Sequence, residues 1–426
     1  MSSILTAVAV QFGPHFAKNI APLKLYFSSD PDWAVNATSW GLFQSAVTLP
    51  CLIFPWLIGY AVDRNLPAHK ALISALVFAC IGQVIFIIAT SDRLLDFALF
   101  GRFVFGIGEG LTSALPGYIA VRFTPEHKLL AIGLTQSFHA LAVALSKASL
   151  APIANYFESY IAALFMGLFM TIFSLAVCVK WGARGTRMPK PRFEQVCNSP
   201  GSVQRRICCQ GSPGKLSLDF WLVAMMHLLF SSAHRLFGHV DAPFLGTKFG
   251  HSLAGAGLAS SITEFVAVII APFLGNALDK YCTVHTLPIM LVIAACVGAF
   301  GYGLVAMIDQ SAFGVEVSLV MIGTVNGIAP TVMRSVIPET VHESAIATAF
   351  GVYEATESVG LFIGSILVGF VAERAHDDYS SVVPAFSFLL VLAALLAVFL
   401  LVRRNATVTA FHKCDEPRHD LIPYVE

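Results

Sequence analysis

The sequence predicts an all-α membrane protein with twelve transmembrane helices in two related, pseudo-symmetric six-helix bundles. The chain has 426 residues, of which 56% are hydrophobic and 12% charged, and its mean hydropathy is +0.74. These values exclude an ordinary soluble protein. A short motif occurs twice, as GYAVDR at Gly59–Arg64 and as GNALDK at Gly275–Lys280, 216 positions apart. A repeat of half the chain length indicates two halves of common structure, which is typical of transporters that work by alternating access.

Twelve apolar runs have about the 20 residues that an α-helix needs to cross the hydrocarbon core of a bilayer. They cover approximately residues 3–26, 38–62, 68–90, 96–121, 129–151, 160–180, 218–240, 252–278, 285–308, 312–337, 344–371 and 382–402. The first run begins almost at Met1, but further spans follow it at once. We therefore expect a retained helix rather than a cleaved signal peptide.

The spans divide into two bundles around one long polar interruption. Residues 1–180 are predicted to form the N-terminal bundle and residues 218–402 the C-terminal bundle, with a linker at 181–217 and a tail at 403–426. The loops on the side of the linker and tail hold 16 lysines and arginines, whereas the opposite loops hold three. By the positive-inside rule, both termini and the linker are predicted to be cytosolic.

The repeated motif lies at the predicted cytosolic end, where it is a candidate gate. Asp63 and Asp279 are suited to cap a following helix or to pair with a basic residue across the gate. Arg64 and Lys280 are expected to join the same network. The alternative is a plain polar turn after a membrane helix, but recurrence at corresponding positions favours the gate.

Polar residues inside the predicted spans indicate a central cavity, because ionisable groups in the hydrocarbon region face water or one another. Glu354 and Glu357 are three residues apart and share one face of the eleventh span. Gln136 and His139 stand 218 positions earlier with the same spacing. Two carboxylates so close repel each other when both are charged, which predicts that one carries a coupling proton. The alternative is that these side chains only hydrogen-bond to neighbouring helices.

Other buried polar residues give further expectations. Glu109 in the fourth span and Lys147 in the fifth are expected to pair with each other, or to bind the ammonium and carboxylate ends of a zwitterion. Arg334, near the cytosolic end of the tenth span, is expected to join the gate. His227 and His234 share a face of the seventh span, but no cysteine or second carboxylate stands at ligand spacing, so no metal is predicted.

Several motifs resemble a known family. The doubled motif resembles the signature loop of the major facilitator superfamily, and the run at Arg102–Gly108 is similar to its fourth-helix arginine–glycine pattern. This resemblance implies the major facilitator fold, transport of small solutes and a part for Arg102 in gating. A narrower resemblance, to the subfamily of major facilitator superfamily domain-containing protein 1, rests mainly on Cys80–Phe86, Gly101–Gly108 and Ile337–Gly351.

The narrower resemblance implies a lysosomal exporter of dipeptides with a glycosylated single-span accessory subunit. In that subfamily two glutamines match Glu354 and Glu357, so dipeptide recognition does not transfer directly. We expect a secondary active or facilitative transporter of dipeptides or amino-acid-like solutes in a lysosomal or other acidic endomembrane, with the plasma membrane as the alternative. Sugars or organic anions are the alternative solutes, and a non-transporting receptor or scaffold is the alternative function. No motif predicts an enzyme or a cofactor, and the net charge of zero gives no indication of nucleic acid.

Overall fold

The computed structural model describes residues 2–30, 33, 35–124, 126–183, 216–281, 286–308, 312–376 and 378–415. Most of the predicted linker and the end of the predicted tail lie outside these residues. Within them, the long helices are α1 Ser2–Lys18, α2 Ala37–Asp63 with an interruption at Leu52 and Ile53, α3 Ala68–Ser91, α4 Leu95–Phe123, α5 Lys128–Tyr156, α6 Tyr160–Ala183, α7 Leu218–Phe249, α8 Leu253–Tyr281, α9 Thr286–Met307, α10 Ala312–Thr340, α11 Ile346–Arg374 and α12 Val383–Asp415.

The predicted fold class is confirmed. The described part of the chain contains eleven helices, α2 to α12, that are long and apolar enough to cross a membrane. The twelfth, α1, has 17 residues and packs against α4, α5 and α6. We refer to α1–α6 as the N-half and to α7–α12 as the C-half.

The first span is not the continuous helix that the sequence predicts, because α1 ends at Lys18. Pro22 has no N–H to donate to the Lys18 carbonyl, so the helical hydrogen bond there cannot form. That carbonyl instead accepts from Arg102 Nη2 at 3.0 Å, and the next one, of Asn19, accepts from Ser146 Oγ at 2.7 Å. The break in α1 is thus satisfied by side chains of α4 and α5.

Two helix pairs, α2 with α11 and α5 with α8, join the halves. The repeated motif contributes a glycine to each contact. A Cβ atom on Gly59 would lie 2.3 Å from the carbonyl oxygen of Ala347, and one on Gly275 would lie 2.4 Å from that of Leu129. These glycines are therefore required for the close approach of backbones at the predicted cytosolic end.

The halves also touch at the opposite, predicted luminal end. The indole nitrogen of Trp40 in α2 donates to the carbonyl of His239 in α7 at 3.1 Å, in a buried contact. Nearby, Asn36 Nδ2 donates to Glu373 Oε1 at 3.0 Å, joining the start of α2 to the end of α11. Because both ends of the interface are packed, the structure is a closed form of the bundle.

We expect Gly59→Ala to destabilise this closed form, since the new methyl group would collide with the Ala347 carbonyl. Overpacking of this kind costs about 1–3 kcal/mol, which a lowered melting temperature of the purified protein would register. Gly303→Ala is the matched control, because its Cβ would meet only Ser387 Oγ at 3.8 Å. Equal melting temperatures for the two variants would contradict the prediction.

Candidate functional site

The two aspartates of the repeated motif make the same contact with opposite halves. The Asp63 carboxylate accepts from the backbone N–H groups of Ala347 at 3.2 Å and Thr348 at 2.7 Å, and from the Thr348 hydroxyl at 2.7 Å. Asp279 accepts from two N–H groups in the first turn of α5, at 3.1 and 2.9 Å. Each carboxylate therefore caps a helix of the other half, not the following helix of its own half, and complements the positive end of that helix dipole.

The basic residues of the motif do not share this network. Arg64 is exposed and lies over the ring of Tyr60 in its own helix, and Lys280 is also exposed. Arg122 and Glu343 form an ion pair across this end of the interface. Arg122 Nη1, at the end of α4, lies 2.7 Å from Glu343 Oε1 in the turn before α11.

In the centre, one arginine joins the first residues of the two matched pairs predicted from the sequence. Arg334 Nη1 donates to Gln136 Oε1 at 3.1 Å, and Arg334 Nη2 lies 2.7 Å from Glu354 Oε1. All three side chains are buried. Arg334 thus contacts predicted site residues rather than the aspartates of the repeated motif, and both partners lie eight residues, about two turns, from the starts of α5 and α11.

A second arginine joins the other members of the matched pairs. Arg235 Nη1 donates to His139 Nε2 at 2.8 Å, and Arg235 Nε lies 2.8 Å from Glu357 Oε1. The other oxygen of Glu357 lies 2.8 Å from Nε2 of His227, whose ring stacks on Tyr353 with centroids 3.7 Å apart. The pseudo-symmetric pairs are therefore brought together by two arginines of the C-half.

Glu109 and Lys147 do not pair with each other as the sequence suggested. Glu109 Oε1 lies 2.9 Å from Lys18 Nζ and 3.4 Å from His15 Nδ1, so its basic partners belong to α1. The His15 ring in turn contacts the His139 ring, with centroids 3.9 Å apart. This contact links the Glu109 group to the arginine-centred groups.

Lys147 has two carboxylate partners, both in the C-half. Its Nζ lies 2.5 Å from Asp241 Oδ2 in α7 and 3.6 Å from Glu264 Oε1 in α8. Lys147 is 1% exposed and Asp241 0%. His234 Nε2 lies 3.2 Å from the same oxygen of Glu264. Lys147 lies eight residues beyond His139, about 12 Å further along α5 towards the predicted luminal end.

The central ion pairs differ in whether they connect the halves. The glutamate pairs of Arg235 and Arg334 lie within the C-half, and the pair of Lys18 with Glu109 lies within the N-half. Among the described residues of the centre, the only ion pairs of a lysine or arginine that cross between the halves are those of Lys147. Separation of the halves at this level must therefore break them.

A small cavity lies beside these groups, between α1, α5, α7 and α8. Its volume of about 40 Å³ has room for a few water molecules. Basic and acidic side chains face it together: Lys18, Lys147, Arg235 and Glu264. Such a mixture of charges can bind a solute that carries both signs.

Arg102 lies apart from the repeated motif, although the resemblance to the major facilitator superfamily implies a part for it in gating. Its guanidinium is fully buried in the N-half, donates to the Lys18 carbonyl and lies 5.2 Å from the centroid of the Phe86 ring. It contacts neither Asp63 nor Asp279 among the described contacts, and what it holds is the broken end of α1.

One group in the described part of the chain has ligand atoms close enough for a metal: His227, Glu354 and Glu357, all within 4.8 Å of one another. Each carboxylate already has an arginine within 2.8 Å, which balances its charge. The charges of both carboxylates are therefore balanced without a metal ion.

Two residues of the site, His15 and Glu264, were not singled out from the sequence. The signal that marks them is an ionisable side chain inside an apolar span. That signal does not identify a partner, because partners on different helices have no fixed spacing along the chain.

We expect Asp63→Asn to loosen the start of α11 and leave α5 unchanged. An amide presents one acceptor and one donor to N–H groups that need acceptors, so amide hydrogen exchange at Ala347 and Thr348 should accelerate. Asp279→Asn should show the reverse pattern. Arg64→Ala is the control, and faster exchange in that variant would contradict the assignment of the contact to the aspartates.

Comparisons with known proteins agree with this architecture. A family model described as Major Facilitator Superfamily matches residues 2–353 and 220–423. The chain is 22% identical over 372 residues to the lysosomal dipeptide transporter MFSD1 of Homo sapiens, covering 85% of this chain and 77% of the relative. It is 23% identical over 404 residues to that of Bos taurus, covering 92% and 83%.

Solved structures show the same fold at low sequence identity. The crystal structure of the human organic anion transporter MFSD10 (TETRAN) matches with a TM-score of 0.66 and 13% identity, covering 93% of this chain and 98% of that chain. The crystal structure of the nucleoside transporter NupG matches with a TM-score of 0.63 and 14% identity, covering 94% and 99%. The chain belongs to the Major Facilitator Superfamily of membrane transporters.

Proposed function

We propose that this transporter carries dipeptides and similar small zwitterions by alternating access. The observation that carries the proposal is the charge pair between Lys147 and Asp241 with Glu264, which crosses the two halves. When the halves part at this level, Lys147 loses both carboxylate partners, and Asp241 and Glu264 lose their lysine, with His234 still beside Glu264. A solute with an ammonium and a carboxylate group replaces both missing partners, and a neutral or singly charged solute does not.

The charged groups at the cavity favour one orientation of such a solute. Its ammonium group would bind Asp241 and Glu264, and its carboxylate would face Lys147 and Arg235, which line the cavity from two sides. Arginine suits this role because its planar donors match both oxygens of a carboxylate. Its present neutral partner, His139, is released when the halves separate.

The relatives support the same solute class. Lysosomal dipeptide transporters match most of this chain, and we extend their solute and their lysosomal membrane to it as part of the proposal. An organic anion would satisfy only the cationic side of the site, and a sugar would leave both sides unpaired. A glycosylated single-span accessory subunit belongs to the same proposal, with co-purification from lysosomal membranes as its test.

We expect free dipeptides to raise the melting temperature of the purified protein, and N-acetylated dipeptides, dipeptide amides, sugars and simple carboxylates to have little effect. Proteoliposome uptake should follow the same order.

Asp241→Asn should weaken the preference for a free amino group, and Arg235→Ala the preference for a free carboxylate, each roughly 10-fold or more. Arg64→Ala is the control, because Arg64 is exposed far from the cavity. A response to none of these solutes would favour the receptor or scaffold.

We propose further that transport is facilitative and not proton-coupled. The proton carrier predicted at Glu354 or Glu357 depends on unbalanced repulsion, but each carboxylate has an arginine of its own half, and neither ion pair needs to break when the halves separate. Dipeptide uptake into proteoliposomes should therefore proceed at equal initial rates with and without an inward proton gradient. Acceleration by the gradient that disappears in Glu357→Gln would instead support the proton carrier.

A further inference from the structure

Two buried carboxylates face one cation from the chain itself. Lys147 extends from α5 of the N-half into a pocket of the C-half, where its ammonium group contacts one oxygen of Asp241 and one of Glu264. Gly238 lies beside it, and a Cβ at that position would be 3.7 Å from Nζ, an ordinary contact distance. The ammonium group thus occupies the position of a bound cation.

The carboxylates do not depend on Lys147 for their positions. The second oxygen of Asp241 accepts from the backbone N–H of Ala242 at 2.7 Å, and the second oxygen of Glu264 accepts from Asn326 Nδ2 at 2.7 Å. Both donors belong to the C-half, as does His234. The oxygens that face Lys147 therefore remain in place when the N-half moves away, and they form a preorganised oxygen site of the kind that hard cations bind.

An empty carrier has to neutralise this site in order to close. Two buried carboxylates without a counter-cation would be strongly unfavourable in a membrane interior. In a carrier coupled to a cation gradient, a free ion would fill such a site. In this closed form, the Lys147 side chain fills the site, and it would return with the N-half whenever the halves close.

We propose that Lys147 is a built-in counter-cation, which occupies a monovalent cation site formed by Asp241 and Glu264 and lets the empty carrier close without a free ion. The role concerns the empty carrier and rests on the proposed function only in that the protein alternates between open and closed forms. Removal of the ammonium group should convert the site into one that binds Na⁺ or, at low pH, a proton.

The surroundings of the site leave this pair as its main acidic feature. Five further charged or titratable groups on three helices surround it: His234, Arg235 and His239 on α7, Tyr302 on α9 and Lys18 on α1.

The test uses purified full-length protein without solute and compares melting temperatures in NaCl and in N-methyl-D-glucamine chloride at equal ionic strength and neutral pH. We expect the wild type to respond equally to both salts. Lys147→Ala should have a lower melting temperature that saturating Na⁺ raises by roughly 3 °C or more. Lys147→Gln serves if the alanine variant does not fold, and Lys147→Arg should behave as the wild type.

Two controls separate the site from a general salt effect. Lys147→Ala with Asp241→Asn removes one carboxylate, so the Na⁺ response should disappear. Lys248→Ala removes a lysine whose Nζ donates only to the carbonyls of Val305 and Ala306 among the described contacts, so it should lose stability without gaining a Na⁺ response. A response retained in the double variant, or shared by Lys248→Ala, would overturn the proposal.

A pH series in sodium-free buffer distinguishes the proton from Na⁺. If a proton fills the site, Lys147→Ala should be stabilised relative to the wild type on acidification, and Na⁺ should have little effect. An absence of both responses would overturn the built-in counter-cation. Because no solute is present, failure of the dipeptide proposal would leave these results intact, and the two proposals can fail independently.

Discussion

The cost of placing charge inside a membrane bundle determines most of what this structure does. Among the residues that the structure describes, five carboxylates lie in the centre and each has a lysine or arginine within ion-pair distance: Glu109, Asp241, Glu264, Glu354 and Glu357. Removing one partner of a buried ion pair costs about 3–5 kcal/mol, because the other charge is left unpaired. The halves can therefore separate only where partners stay together or where something else replaces them.

The distribution of partners between the halves determines which contacts would break if the halves separate. In the proposed alternating-access cycle, pairs contained in one half would move as rigid units, whereas the Lys147 contacts would open and close with the interface. At the predicted cytosolic end, Asp63 and Asp279 hold the other half through backbone N–H groups, and Asp63 also accepts from the Thr348 hydroxyl. Those N–H groups are at helix starts and can be solvated when the contact opens, so this closure is easily reversed. The two kinds of contact suit a gate at one level and a solute site at the other.

Much of this arrangement could be predicted from particular residues. The spacing of Gln136 and His139 relative to Glu354 and Glu357 predicts matched positions on α5 and α11, and the structure brings both pairs together. The arginines that join these pairs were not predicted as their partners. Arg334 was expected to join the gate, and Arg235 was given no partner. Arginine side chains are long, and the position of a residue along a helix does not say which of several neighbouring helices its guanidinium will reach.

The sequence by itself determined the fold class, the division into halves and the helix faces that carry polar residues, because apolar span length and period are local properties of the chain. Only the tertiary structure decided the partners: Lys18 for Glu109, Asp241 and Glu264 for Lys147, and the opposite half for each capping aspartate. Ion pairing depends on distances of a few ångströms between residues far apart in the chain. Those distances are set by glycine-lined helix packing across the two halves, which no local pattern records.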